Sequence, residues 1–279
     1  MNLIIQGQDI PTSSLKQLAK LTSATAIEAI SPIAFRLVSA DEGQRAEVGT
    51  FCETHALDHG WVPAERKLSD FGLLVMDMDS TLITIECIDE IADMQGLKPQ
   101  VSAITEAAMR GEIDFAESLR RRVALLEGLD ESALQRVYDE RLQLSPGAET
   151  LLTAVQAAGI RTLLVSGGFT FFTERLKPRL GLNYTAANTL EIQGDKLTGR
   201  VLGDIVDAQS KADWLNRLRT ELKLERHQVI AMGDGANDLK MMAEAGISIA
   251  YHAKPVVRAQ ASYALSQVGL DGVIALLGG

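Results

Sequence analysis

The chain has 279 residues, of which 46% are hydrophobic and 23% are charged. This length is sufficient for one large domain and a smaller one, and the composition excludes a disordered or fibrous protein. The 37 acidic residues outnumber the 27 basic ones and give a net charge of -10, which argues against nucleic acid and anionic membranes as partners. A phosphorylated metabolite remains compatible with this charge, because a bound metal ion can reverse the field locally.

The two cysteines, Cys52 and Cys87, belong to no metal-binding or redox pattern. The amino-terminal residues lack the basic segment and apolar stretch of a secretion signal, and no run of about 18 apolar residues occurs. We therefore predict a protein of a reducing compartment, located in the cytoplasm.

Residues 1–68 alternate between short apolar runs and helical patterns. The patterns predict strands at residues 2–5, 25–30 and 33–38, helices at residues 13–21 and 42–57, and a last extended segment. This β-α-β-β-α-β order is typical of a small α+β ferredoxin-like domain. The polar residues 63–70 are predicted to be the linker.

Residues 69–279 predict an α/β domain with a Rossmann-like parallel sheet. Apolar strand patterns occur at residues 71–79, 160–168, 228–235 and 246–251, with helical segments between them. The insertion at about residues 85–146 is too long for a simple crossover and has helical spacing, so we predict a helical cap. Residues 190–206 alternate around a Gly-Asp turn and predict a hairpin.

Three of the predicted strands end in polar clusters suited to phosphate and metal chemistry. They are Asp-Met-Asp-Ser-Thr at residues 77–81, Ser-Gly-Gly at 166–168 and Gly-Asp-Gly-Ala-Asn-Asp at 233–238. In an open parallel sheet, ligands bind beyond the carboxyl ends of the strands, so we expect the clusters to converge. Each cluster alone is also typical of an ordinary turn.

Asp77 and Asp79 are two residues apart at a strand end, which directs both side chains to the same side if the chain stays extended. Their carboxylates repel, and Asp234 with Asp238 adds more negative charge nearby. A hard divalent cation relieves this repulsion, and magnesium suits a few carboxylates, waters and a substrate phosphate. The sequence therefore predicts Mg²⁺ as the cofactor.

The chemistry of phosphoryl transfer then suggests separate roles for these groups. One carboxylate can attack phosphorus and form an aspartyl-phosphate, while its neighbour protonates the leaving alkoxide and later deprotonates water. Donors for the transferring oxygens come from Ser166, Gly167 and one lysine, for which Lys211 is the candidate.

These motifs, in this order, resemble the haloacid dehalogenase superfamily from about residue 73 to the carboxyl end. The resemblance implies that Asp77 is the nucleophile and Asp79 the general acid and base. It implies that magnesium is held by the Asp77 carboxylate, the Asp79 backbone carbonyl and Asp234. The phosphoryl group would be bound by Ser166, Gly167 and Lys211, with Asn237 and Asp238 assisting around the metal and the lysine.

Within the superfamily, the sequences at residues 109–123 and 203–212 resemble those of members that hydrolyse O-phospho-L-serine. That hydrolysis is the last step of phosphorylated serine biosynthesis. The resemblance implies that Glu86 receives the substrate ammonium and Arg122 the substrate carboxylate. Met109 and Phe115 would close an apolar lid. On spacing alone, Glu86 is typical of a helix first turn, and Arg122 of a solvated basic run.

Two alternatives stay open from the sequence. The same machinery could act on another small phosphomonoester, such as phosphohomoserine, or transfer the phosphoryl group to an alcohol. The second alternative is a regulatory protein, in which the amino-terminal domain senses an amino acid and the larger domain has lost its catalytic activity. The amino-terminal domain resembles regulatory ACT domains in its order of elements, so serine feedback and a homodimer through this domain are hypotheses.

Overall fold

The computed structural model describes residues 1–279, and its amino-terminal part is a four-stranded antiparallel sheet with order β2-β3-β1-β4. Two helices cover one face of this sheet. The elements are β1 (Asn2–Gln6), α1 (Thr12–Leu21), β2 (Ala26–Ser31), β3 (Ala34–Val38), α2 (Arg45–Thr54) and β4 (Asp58–Val62). This order confirms the predicted ferredoxin-like arrangement.

The larger part of the chain forms a seven-stranded sheet with order β11-β10-β9-β5-β6-β7-β8. All neighbouring pairs are parallel except the hairpin of β7 and β8. The strands are β5 (Leu73–Met76), β6 (Arg161–Phe169), β7 (Tyr184–Gln193), β8 (Lys196–Leu202), β9 (Val229–Gly233), β10 (Ile247–Tyr251) and β11 (Tyr263–Leu265). The predicted parallel sheet and hairpin are therefore confirmed.

Helices surround this sheet, and four of them form the inserted cap between β5 and β6. The cap helices are α3 (Cys87–Asp93), α4 (Lys98–Met109), α5 (Phe115–Ala124) and α6 (Ser132–Glu140). The others are α7 (Ala148–Ala157), α8 (Thr170–Leu180), α9 (Ala208–Glu221), α10 (Leu239–Glu244), α11 (Pro255–Arg258) and α12 (Gly272–Leu276). None of these helices is both long and apolar enough to cross a bilayer.

The central strand β5 determines where the site lies. All four of its residues are fully buried, because apolar side chains cover both faces of the sheet. Met76 is in register with Leu164 of β6 and Met232 of β9, so the carboxyl-terminal parts of the three strands lie side by side in the sheet. The polar clusters that follow these strands therefore meet at one edge of the sheet.

The amino-terminal sheet packs directly on the carboxyl-terminal segment of the chain. Its apolar face, which includes Ile4 and Val62, joins the same hydrophobic core as Leu276 of α12. The Asp58 carboxylate accepts hydrogen bonds from the backbone N–H groups of residues 266–268 at 2.8 to 3.2 Å. The two parts thus share a packed interface, whereas the domain boundary between residues 68 and 69 stays a prediction.

Candidate active site

The turn after β5 carries both predicted catalytic aspartates. Asp77 directly follows the strand and accepts a hydrogen bond from the Met78 N–H at 2.7 Å. Asp79 stays extended, and Ser80 then adopts a left-handed conformation with φ of 55°. This sharp reversal places the Ser80 hydroxyl 2.6 Å from a Glu86 carboxylate oxygen, at the start of the cap. The turn therefore links the sheet edge to the cap.

Lys211, near the start of α9, lies between two aspartates. Its Nζ is 2.8 Å from Asp77 Oδ2 and 2.8 Å from Asp238 Oδ1. Burial alone would lower the pKa of Lys211, but the charges of Asp238 and Asp77 outweigh it and raise that pKa. Burial and the charge of Asp238 raise the pKa of Asp77, while the ammonium of Lys211 opposes that rise. Lys211 thus neutralises part of the acidic cluster.

Asp79 has the properties of a proton-transfer group. Burial, followed by the negative charge of Glu86, raises the pKa of Asp79 to about 7. Its carboxylate accepts a hydrogen bond from the Cys87 N–H at 3.4 Å, which opposes the shift. A carboxyl group with this pKa can both donate and accept a proton near neutral pH.

The acidic cluster offers ligands for a divalent cation. Carboxylate oxygens of Asp77, Asp234 and Asp238 all lie within 4.8 Å of one another. Asp238 already binds Lys211 and accepts a bond from the Gly235 N–H at 3.1 Å. Asp234 accepts a single bond, from the Thr81 hydroxyl at 3.2 Å, and burial and the charge of Asp238 raise its pKa to about 6. Asp77 and Asp234 therefore suit a hard cation with oxygen ligands.

The end of β6 presents backbone and hydroxyl groups to the same space. The Ser166 hydroxyl accepts a hydrogen bond from the Gly168 N–H at 2.8 Å. Asn188 of β7 donates to the Gly167 carbonyl at 2.8 Å and accepts from the Val206 N–H at 2.8 Å. The buried Asn188 thus fixes the glycine loop against the segment that leads into α9, and no sequence motif identified it.

A cavity of about 530 Å³ lies between the sheet edge and the cap. Its lining includes these predicted site residues: Asp77, Asp79, Glu86, Met109, Phe115, Arg122, Ser166, Gly167, Asp234 and Asn237. Lys211 and Asp238 are fully buried and reach the site through Asp77. The structure therefore brings all twelve predicted residues together, although their individual roles stay predictions.

The cap supplies charged groups on the side of the cavity opposite the strand ends. Arg122 makes no ion pair, and its Nε donates only to the Ser118 carbonyl at 3.4 Å. Burial raises the pKa of Glu86, and the Ser80 hydroxyl opposes that shift. Phe115 lies over Gly167, where an added Cβ would come within 2.9 Å of the ring. Met109, at 69% exposure, lies at the cavity mouth.

Two charged residues of the cavity wall were not predicted from the sequence. Asp89 and Lys254 also line the cavity. Asp89 is three residues after Glu86 on the first cap helix, so helical spacing could have identified it. Lys254 follows β10, a strand for which the sequence predicts no polar cluster at the end.

The comparisons with known proteins agree with this geometry. The haloacid dehalogenase-like hydrolase family matches residues 74–243, and a domain of unknown function (DUF4072) matches residues 3–48. A phosphoserine phosphatase of Polaromonas sp. (strain JS666 / ATCC BAA-500) is 56% identical over 216 residues, which are 76% of this chain and 92% of that protein.

Solved structures extend the similarity to the whole chain. A probable phosphoserine phosphatase from Vibrio cholerae, in unliganded form, matches with a TM-score of 0.87 and 41% identity, covering 99% of this chain and 86% of that one. A phospho-aspartyl intermediate analogue of phosphoserine phosphatase matches with a TM-score of 0.69 and 34% identity, covering 74% of this chain and 99% of that one. The chain therefore belongs to the haloacid dehalogenase-like hydrolase family.

Proposed function

We propose that the protein hydrolyses O-phospho-L-serine to serine and phosphate, with magnesium as cofactor, as the last step of phosphorylated serine biosynthesis. The observation that carries this proposal is that Asp77, Glu86 and Arg122 line one cavity. A substrate that bears a phosphate ester, an ammonium and a carboxylate needs three groups in its site. They are a nucleophile for phosphorus, a carboxylate for the ammonium and a planar guanidinium for the carboxylate. The names of the relatives above support the same substrate.

In the proposed reaction, an oxygen of Asp77 attacks phosphorus while the bond from phosphorus to the seryl oxygen breaks. Asp79 donates its proton to that oxygen, which releases serine. Asp79, now ionised, takes a proton from water, and the water oxygen attacks phosphorus while the bond from phosphorus to the Asp77 oxygen breaks, which releases phosphate. The Asp77 carboxylate is thereby regenerated. The phospho-aspartyl analogue of the related enzyme supports this covalent route.

The surrounding groups hold the reactants during these steps. Lys211 fixes one carboxylate oxygen of Asp77, and Asp238 holds Lys211 in turn. Magnesium, held by the Asp77 carboxylate, the Asp79 carbonyl and Asp234, would offset negative charge on the transferring phosphoryl group. Ser166 and Gly167 line the same cavity, and in this proposal the Ser166 hydroxyl and the Gly167 N–H bind phosphoryl oxygens.

The proposal is tested by phosphate release from O-phospho-L-serine, with magnesium and after its removal by a chelator. We expect turnover only with magnesium, and none for Asp77→Asn. An exposed acid outside the site, Asp9, provides the control Asp9→Asn, which should keep full activity. Substantial turnover by Asp77→Asn would eliminate the covalent mechanism.

Specificity is tested at the cap with Arg122→Ala. Loss of this guanidinium should raise the Michaelis constant for O-phospho-L-serine far more than that for O-phosphoethanolamine, which lacks the carboxylate. Arg121→Ala is the matched control, because Arg121 is exposed and paired with Glu117 at 2.6 Å outside the cavity. Equal effects on both substrates would contradict the assignment of Arg122.

The alternative substrate class is another small phosphomonoester, such as phosphohomoserine, and a panel of phosphate esters separates it from O-phospho-L-serine.

We further propose the domain limits 1–68 and 69–279, with the cap at about 85–146, and a cytoplasmic location. A homodimer through the amino-terminal domain and serine feedback are also proposals. Size-exclusion chromatography of the full chain tests the homodimer, and phosphate release measured with increasing serine tests the feedback.

A further inference from the structure

Lys254 is a cation in the active-site cavity to which neither the motifs nor the proposed mechanism assign a role. It lines the cavity after β10, on the sheet side, and its own backbone N–H donates to the Asp234 carbonyl at 3.3 Å. Its main chain is therefore attached to the acidic cluster at the strand ends.

The backbone around Lys254 is fixed, whereas its side chain is free. Lys254 precedes Pro255, which favours an extended conformation, and it has φ of -61° and ψ of 151°. Two residues earlier, His252 adopts a left-handed φ of 45°, and its backbone N–H donates to the Leu265 carbonyl at 2.7 Å. The exposed Lys254 side chain forms neither an ion pair nor a hydrogen bond within the chain. Its ammonium is thus available to a ligand.

A free ammonium binds an anion, and the cavity offers an anionic ligand few other cations. Five carboxylates line the cavity, those of Asp77, Asp79, Glu86, Asp89 and Asp234. Only two cationic side chains line it, Arg122 on the cap and Lys254 on the sheet side. The third cation, Lys211, is buried and already bound to two aspartates. Besides the proposed magnesium ion, Lys254 is therefore the cationic side chain available to a phosphate dianion at the sheet edge.

We propose that Lys254 binds the phosphate group of the substrate from the β10 side of the cavity, and so determines phosphate affinity. This inference deepens the proposed function, because it rests on a phosphomonoester occupying the cavity. Arg122 would then bind the carboxylate of the substrate on the cap side, so that the two acidic groups of the substrate have separate cations. The four-carbon stem of lysine allows its ammonium to reach a phosphate oxygen from the cavity wall.

Calorimetric titration of the full-length protein with inorganic phosphate, in magnesium buffer, tests this assignment without requiring turnover. For Lys254→Met we expect the dissociation constant of phosphate to rise about ten- to hundredfold, as for loss of a charge-assisted hydrogen bond. The affinity for L-serine, which has no phosphate, should stay within twofold of wild type. Lys254→Arg should restore most of the phosphate affinity.

The matched control is Lys240→Met, because Lys240 is an exposed lysine outside the cavity whose ammonium donates only to Gln209. This variant should bind phosphate as wild type does. The inference fails if wild type binds no phosphate, if Lys254→Met binds it as tightly as wild type, or if the variant loses phosphate and serine affinity equally. Wild-type protein that binds phosphate through Lys254 but does not hydrolyse O-phospho-L-serine would refute the proposed function and leave this inference intact.

Discussion

Lys211 Nζ lies 2.8 Å from Asp77 Oδ2, and the lysine side chain is only 1% exposed. The contact joins α9 to the end of β5, across 134 residues of sequence, and Asp238 completes it from the opposite side. A buried ammonium between two carboxylates is stable only while all three are present, since removal of one partner leaves uncompensated buried charge.

We predict that Lys211→Met lowers the free energy of unfolding by about 3–5 kcal/mol in the absence of metal, because Asp77 and Asp238 then lie buried without their cation. Urea unfolding measures this loss. Lys16→Met is the control, because Lys16 is exposed on α1 and forms no ion pair, and it should change stability by less than about 0.5 kcal/mol. Equal midpoints for the two variants would contradict the prediction.

The sequence predicts the strand ends well for a physical reason. A buried parallel strand requires an apolar run, and the first polar residues after it necessarily lie at the sheet edge, as Asp77 and Asp234 do. The order of elements in the amino-terminal domain follows from the same local patterns. Strand β11 has three residues and helix α12 has five, which is too short for a periodic signal, and neither was predicted.

Contacts between distant segments could not be predicted from one sequence. Asn188 acts on Gly167 because β7 lies beside β6, and Asp58 bonds residues 266–268 across more than 200 positions. Lys254 enters the cavity only because β10 lies beside β9 in the sheet. These relationships depend on the packed fold, since the local sequence at each position is that of an ordinary strand or loop.

Asp79 should make the stability of the metal-free protein depend on pH. Its pKa of about 7 in the folded state lies well above the roughly 3.9 of an unfolded aspartate. Between about pH 4 and pH 7 the unfolded chain releases this proton and the folded protein retains it, so stability falls as the pH rises through this window. Asp79→Asn has no such proton, and its stability should fall less over the same range.

Thermal unfolding in the presence of a chelator, at several values between pH 4.5 and pH 7.5, measures the difference between wild type and Asp79→Asn. All other titrating groups are common to both proteins. The way in which the difference between the two melting temperatures changes with pH therefore reports on Asp79 and on its coupling to Glu86 and Asp77. Curves that run parallel across the whole range would show that Asp79 titrates normally.

Asp58 should stabilise the contact between the two parts of the chain. Its carboxylate accepts the N–H groups of Ser266, Gln267 and Val268. Asp58→Ala leaves these donors without their acceptor, and at about 1 kcal/mol for each lost hydrogen bond to the carboxylate we expect a loss of roughly 3 kcal/mol in the free energy of unfolding. Asp58→Asn keeps one acceptor oxygen and should lose less.

Urea unfolding of both variants, beside the exposed control Asp9→Ala, measures these losses. Because Asp58 contacts residues that follow β11, its loss should also expose the amino-terminal sheet to proteolysis. An Asp58→Ala protein as stable as wild type would mean that water satisfies the three N–H groups.

Gly168 and Gly49 are two glycines for which we predict opposite consequences of substitution by alanine. A Cβ at Gly168 would lie 2.8 Å from Asp79 Oδ2 and 3.0 Å from Ser166 Oγ, so Gly168→Ala must displace the Asp79 carboxylate, the proposed proton-transfer group. We expect kcat to fall about a hundredfold, the order of loss that a shift of about 1 Å causes in a catalytic group. A Cβ at Gly49, inside α2, would have no heavy atom within 4 Å apart from the adjacent residues and the local helix backbone.

Gly49→Ala should therefore stabilise the protein by about 0.5–1 kcal/mol, because alanine loses less backbone entropy in a helix, and leave kcat unchanged. Steady-state kinetics and urea unfolding of both variants separate the effect of a blocked site from that of altered helix stability. If Gly168→Ala kept wild-type kcat, the Asp79 carboxylate could move without consequence, and its position beside Ser166 would have no part in catalysis.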